Sequence, residues 1–207
     1  GSVHVDGTDL SQLDADQISD FRANKIGFVF QFFNLIPELT AAENVDLPMR
    51  IAGLGAKERE RRTAQLLGQV GLSDRAGHRP GELSGGEQQR VAIAVALAND
   101  PPVILADEPT GELDTESGAK VLGVLRELAR MQGKTVVVAT HDVRIVRYAD
   151  RVLRIMDGRI LREEELEPRA GEMRISESEE LERLRKRVAE LSDVLARIRG
   201  SLTSAER

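Results

Sequence analysis

The string Val103-Ile104-Leu105-Ala106-Asp107-Glu108 constrains the fold of this chain more than any other. Four apolar residues between Pro101-Pro102 and a pair of acids read as a short buried strand. Buried strands of this kind belong to α/β folds, in which helices cover a parallel sheet. The two carboxylates then fall at the C-terminal end of the strand, which faces the crevice where such sheets bind ligands. Mg²⁺, a hard ion bound through few protein carboxylates and several waters, suits such a pair. A plain strand running into an acidic turn is the alternative reading, and the surrounding motifs decide between the two.

The rest of the chain alternates in the same manner. Val3–Val5 followed by Asp6-Gly7 reads as a strand end and turn, and residues 26–30 as a short buried strand ending at Gln31. Residues 40–79 read as a helical insert, with Pro48 and Gly53 as breakers and Leu66, Leu67 and Val70 opposite a charged face. Ser84-Gly85-Gly86 opens a helix over residues 87–98. Thr115–Gln132 is amphipathic through Val121, Leu122, Leu125 and Leu128, with Gly133 placed as its C-cap. Strands are expected at residues 136–139 and 151–156, the latter turning at Asp157-Gly158.

Composition excludes several classes. The 207 residues carry 29 Lys and Arg against 35 Asp and Glu, a net charge of −6, which lacks the basic excess of a nucleic-acid binder. There is no cysteine, hence no disulfide framework, thiol nucleophile or Cys-ligated metal. His4, His78 and His141 show no metal-ligand spacing. The longest apolar runs, residues 91–98 and 135–140, fall far short of the roughly 20 residues a membrane helix needs, so membrane association is expected only through a partner.

Leu83-Ser84-Gly85-Gly86-Glu87-Gln88-Gln89-Arg90 sets a hydroxyl and two glycines at a helix start, where free backbone N–H groups and the positive helix end make an anion site. It precedes the 103–108 strand by about 20 residues. With Asp107-Glu108-Pro109-Thr110-Gly111-Glu112-Leu113-Asp114, it resembles the ABC ATPases, whose signature reads LSGGQ or LSGGE and whose magnesium strand is followed by PTG and LD. Gln31 matches the family's Q-loop, and Thr140-His141-Asp142 its switch histidine, in the expected order. The resemblance covers about residues 1–162. It is nearest to the lipoprotein-release and macrolide-export branch, through residues 27–37 and Ala42-Glu43-Asn44-Val45.

The resemblance implies a P-loop α/β core with a helical signature subdomain at about residues 40–100. It implies a protein that binds ATP and Mg²⁺ and hydrolyses the nucleotide. Asp107 and Gln31 would hold the metal, Glu108 would activate water, His141 would contact the γ-phosphate, and Gln31 would couple nucleotide to transport. Ser84, Gly85, Gly86 and Glu87 would bind nucleotide held by a second copy, with Asp114 acting across that dimer. The partners implied are a membrane-embedded permease and a second nucleotide-binding domain, with no nucleic acid, at the cytoplasmic face of the inner membrane.

Three departures qualify this expectation. No G-x-x-x-x-G-K-[ST] string occurs, so the phosphate-cradling lysine and amides are absent from residues 1–207 and the front of the domain reads as truncated. Val95 stands where relatives usually have Arg, which would remove an ion pair beside the signature helix. Beyond a polar linker at residues 163–178, Leu181, Leu184, Val188, Leu191, Leu195 and Ile198 mark an amphipathic helix over residues 179–199. It is either a short coiled coil or a helix packed on its own domain. A soluble ABC ATPase of DNA repair or translation is a second reading, against which the acidic balance and the mere 52 residues between Gln31 and Ser84 argue. A non-hydrolytic interaction subunit is a third.

Overall fold

The structure is a computed structural model, and it describes residues 1–165. It divides into two compact units, the first spanning Gly1–Ala149 and the second starting at Asp150. In the first, β1 (His4–Val5) and β2 (Thr8–Asp9) form a small antiparallel hairpin, and α1 (Ala15–Lys25) runs directly into β3 (Ile26–Val29). Then come α2 (Ala41–Ile51), α3 (Ala56–Gln69), α4 (Gly85–Ala96), β4 (Val103–Asp107), α5 (Thr115–Gln132) and β5 (Thr135–Ala139). The expected linker and helix at residues 163–178 and 179–199 lie outside the described residues, apart from residues 163–165.

The sheet has the order β3-β4-β5 with both pairings parallel, as the buried 103–106 run implies. Val29 stands opposite Ala106, and Asp107 opposite Ala139, so all three strands end on one edge. Alternate residues face opposite sides. Val29, Ile104 and Ala106 are buried, in a core they share with Val91 and Ile93 of α4, with Leu97 at its C-cap, and with Val121, Leu122 and Leu125 of α5. Each such large side chain contributes roughly 1.5–3 kcal/mol by leaving water. On the other side the row Phe28, Leu105, Val137 is more open, with Phe28 43% and Val137 52% exposed. Gly27 explains how closely α4 approaches: a Cβ there would strike the Ala96 carbonyl oxygen and come within 2.8 Å of Ile104 Cδ1.

The helical insert is α2 and α3, and the signature helix α4 packs on both. Thr40 and Glu43 close a capping box that starts α2. Pro48, read from sequence as a breaker, sits inside this helix. Burial of Ala41, Val45 and Met49 along one face outweighs the one backbone hydrogen bond that a proline forgoes, and the helix ends at Ile51, just before Gly53, whose φ of +80° suits glycine. Helix α1 was not anticipated, although its Asp14–Gln17 capping box is a readable start signal.

In the second unit, β6 (Arg151–Met156) pairs antiparallel with β7 (Arg159–Glu165). The sequence pattern suggests that the 151–156 strand continues the alternation of a parallel sheet. The turn expected at Asp157-Gly158, both with positive φ, is present, but it folds the 151–156 strand back onto β7 as an antiparallel pair.

Candidate active site

Parallel pairing brings the predicted residues together. Gln31 lies two residues past the end of β3, Asp107 ends β4 with Glu108 following, and Thr140-His141 follow β5. Three stretches distant in sequence thus converge at the C-terminal edge of one sheet.

Glu108 is the most constrained of them. Its φ is +44°, a region costly for a residue with a Cβ, and its backbone N–H donates to the Ala139 carbonyl at 2.8 Å. Its carboxylate accepts the Thr140 hydroxyl on Oε2 at 2.7 Å and the His141 backbone N–H on Oε1 at 3.0 Å. His141 Nδ1 also lies 2.7 Å from Oε1. Partial burial pushes this carboxyl up, but the hydrogen bonds from Thr140 and His141 prevail and hold it below the usual glutamate range. The hydrogen bond to Glu108, and then its negative charge, raise the pKa of the exposed His141 ring.

Gln31 donates Nε2 to Glu112 Oε1 at 2.9 Å and lies over Gly111, where a Cβ would come within 3.1 Å of it. This engages the amide nitrogen and leaves the oxygen as the atom of metal-binding type. Asp107 is exposed at the strand end. One carboxylate and one amide oxygen at neighbouring strand ends are hard donors, and that limited set matches Mg²⁺, which keeps several waters and phosphate oxygens of its own.

The Ser84 start of α4 is tightly built. Ser84 Oγ accepts the Glu87 N–H at 3.3 Å, the Ser84 N–H donates to Glu87 Oε2 at 2.8 Å, and Arg75 Nε reaches Glu87 Oε1 at 3.3 Å. The backbone and hydroxyl of Ser84 hold the Glu87 carboxyl below its usual range. Gly85 is half-buried. Gly86 is buried for a reason the motif does not reveal: a Cβ there would lie 2.7 Å from Ser117 Cβ on α5. Asp114 caps α5, accepting the N–H groups of Glu116 and Ser117 at 3.0 Å each, and these bonds, Ser117 first, lower its pKa.

Sequence reasoning passed over three residues. Gln89 is fully buried and donates Nε2 to the Phe30 carbonyl at 3.0 Å and the Pro109 carbonyl at 2.9 Å, tying α4 to the ends of β3 and β4. Glu112 holds Gln31. Asn44, buried, brackets the loop after Gln31 by accepting the Ile36 N–H and donating to the carbonyls of Ile36, Leu39 and Thr40. Neither Gln89, inside the polar run at residues 84–90, nor Asn44, next to Glu43, stands out in the sequence. Val95 packs half-buried against the core.

Comparison with known proteins agrees with this arrangement. The sequence model of the ABC transporter family matches residues 1–111. An ABC transporter ATP-binding protein of Thermotoga maritima is 56% identical over 160 residues, spanning 77% of this chain and 68% of that protein. The lipoprotein-releasing system ATP-binding protein LolD of Hyphomonas neptunium is 46% identical over 161 residues, 78% of this chain and 71% of LolD. The macrolide export ATP-binding/permease protein MacB of Burkholderia thailandensis is 50% identical over 161 residues, 78% of this chain and 24% of MacB. Among solved structures, the dimeric post-hydrolysis state of the ATP-binding cassette MJ0796, bound to ADP and Pi, superposes with a TM-score of 0.71 at 48% identity, covering 80% of this chain and 73% of that one. The parallel sheet, the motifs converging on its edge and these relatives lead to one conclusion: this chain belongs to the ABC transporter family, as an ATP-binding cassette.

Proposed function

We propose that this cassette hydrolyses ATP to drive a transporter of export or lipoprotein-release type, docked on a membrane-embedded permease at the cytoplasmic face of the inner membrane. The observation that carries the hydrolytic part is the Glu108 carboxylate, ionised and held at the sheet edge by Thr140 and His141. The LolD and MacB relatives support the type of transport.

In this reading Glu108 orients and polarises the attacking water, and His141 leaves it to contact the γ-phosphate. Asp107 and the Gln31 oxygen would hold Mg²⁺, which when bound neutralises charge on the phosphate oxygens. Gln31 reports nucleotide to the permease. Two copies pair head to tail, as the dimeric MJ0796 structure supports. Each nucleotide then meets Ser84, Gly85, Gly86 and Glu87 of the opposite copy, with Asp114 acting across the interface. Residues 1–207 contain no G-x-x-x-x-G-K-[ST] loop, so hydrolysis is proposed for the protein that joins them to one.

The test is Glu108→Gln in that protein. The amide keeps the shape but cannot accept a proton, so turnover is expected to vanish while ATP-dependent dimerisation persists. Near-normal hydrolysis would remove Glu108 from the role.

A further inference from the structure

We propose that Thr140 is a positioning residue for Glu108, selecting which carboxylate oxygen meets the water. The hydroxyl accepts the Asp142 N–H at 3.0 Å and lies 2.7 Å from Glu108 Oε2. A threonine hydroxyl has one proton, and with the Asp142 amide on its lone pair that proton is directed at Glu108. Asp142 is itself held, by Arg144 Nε at 2.9 Å from Oδ1 and by the Thr110 hydroxyl at 3.4 Å from Oδ2. The hydroxyl therefore belongs to a braced chain running from the 142–144 turn to the carboxylate.

The two oxygens of Glu108 are held differently. Oε2 is anchored by Thr140, half-buried and next to the sheet. Oε1 accepts the His141 backbone N–H and faces the ring of His141, whose side chain is 87% exposed. The inference rests on the proposed reaction, in which His141 departs toward the phosphate. Its departure uncovers Oε1 and leaves Oε2 fixed, so Oε1 becomes the oxygen that accepts the water's hydrogen bond. Without the hydroxyl, the carboxylate would keep only the His141 backbone N–H on Oε1 once the ring leaves, and misplacement by about 1 Å costs on the order of 100-fold in rate.

The experiment uses the cassette with its phosphate loop and compares Thr140→Val, which keeps the shape without the hydroxyl, with Thr140→Ser, which keeps the hydroxyl. Thr140→Val is expected to lower kcat about 10- to 100-fold, with KM for Mg-ATP, ATP-dependent dimerisation and melting temperature little changed. Thr140→Ser should recover most of the rate. In a Glu108→Gln background, Thr140→Val should cause no further loss. Normal turnover in Thr140→Val, beside an inactive Glu108→Gln, overturns the role of Thr140 and spares that of Glu108. Active Glu108→Gln overturns the reading beneath both. A lowered melting temperature that serine does not restore assigns Thr140 to folding alone and overturns the inference as well.

Discussion

The buried side chain of Gln89 donates to the carbonyl of Pro109 at 2.9 Å, fastening α4 to the turn that follows Asp107 and Glu108. The same nitrogen reaches Phe30, one residue before Gln31, while Oε1 of Gln89 has no partner among the described residues. Replacing Gln89 with Leu would leave two carbonyls without this donor, at roughly 1–3 kcal/mol for each buried group left unpaired. Urea denaturation should show a loss of about 2–3 kcal/mol, offset in part by the orphan oxygen that disappears. No change in midpoint would mean that these carbonyls find other donors.

Gly86 is fixed by packing on α5. Gly86→Ala should cost about 1–3 kcal/mol in the absence of nucleotide, as overpacking does. Ser117→Gly removes the colliding Cβ, so the double variant should be more stable than the sum of the two single losses by about 1 kcal/mol. Strict additivity would show that Gly86 and Ser117 are not coupled through this contact.

The Glu108–His141 pair makes a signed pH prediction. His141 is raised from the ordinary 6.5, so whatever the pair contributes through this ring is fully present below that value and fades as pH rises through the folded pKa. Glu108 is lowered from 4.5, so its share is present above that value and is lost as pH falls through the folded pKa. NMR titration of the His141 ring should give a midpoint above that of the same ring in Glu108→Gln. Identical midpoints would break the link between the two side chains.

On the proposed function, residues 1–207 by themselves should show no thermal shift with Mg-ATP, because they contain no G-x-x-x-x-G-K-[ST] string and Ser84–Gly86 would serve nucleotide held by a second copy. The open row Phe28, Leu105, Val137 should bind a hydrophobic dye. Joining an upstream segment with a strand and G-x-x-x-x-G-K-[ST] loop should raise the melting temperature with Mg-ATP and give turnover. Hydrolysis by the short chain, sensitive to Glu108→Gln, would refute this.

Much of the cassette was legible from the sequence because its signals are local. An apolar run ending in Asp107-Glu108, a Ser84 cap with Glu87 three residues on, and Gly133 past an amphipathic helix each declare themselves within a few residues, and parallel strands then carry Gln31, Glu108 and His141 to one edge. What only tertiary structure decided are contacts between segments far apart. Gln89 reaches Pro109 across 20 residues and Phe30 across 59, Gln31 meets Glu112 across 81, and Thr140 meets Glu108 across 32. No periodicity records such pairs, because a hydrogen bond depends on where two side chains finally stand and not on the spacing that brought their strands together. Pro48 and the 151–156 strand show the same limit: burial of one helix face kept the first inside α2, and pairing with β7 took the second out of the parallel sheet.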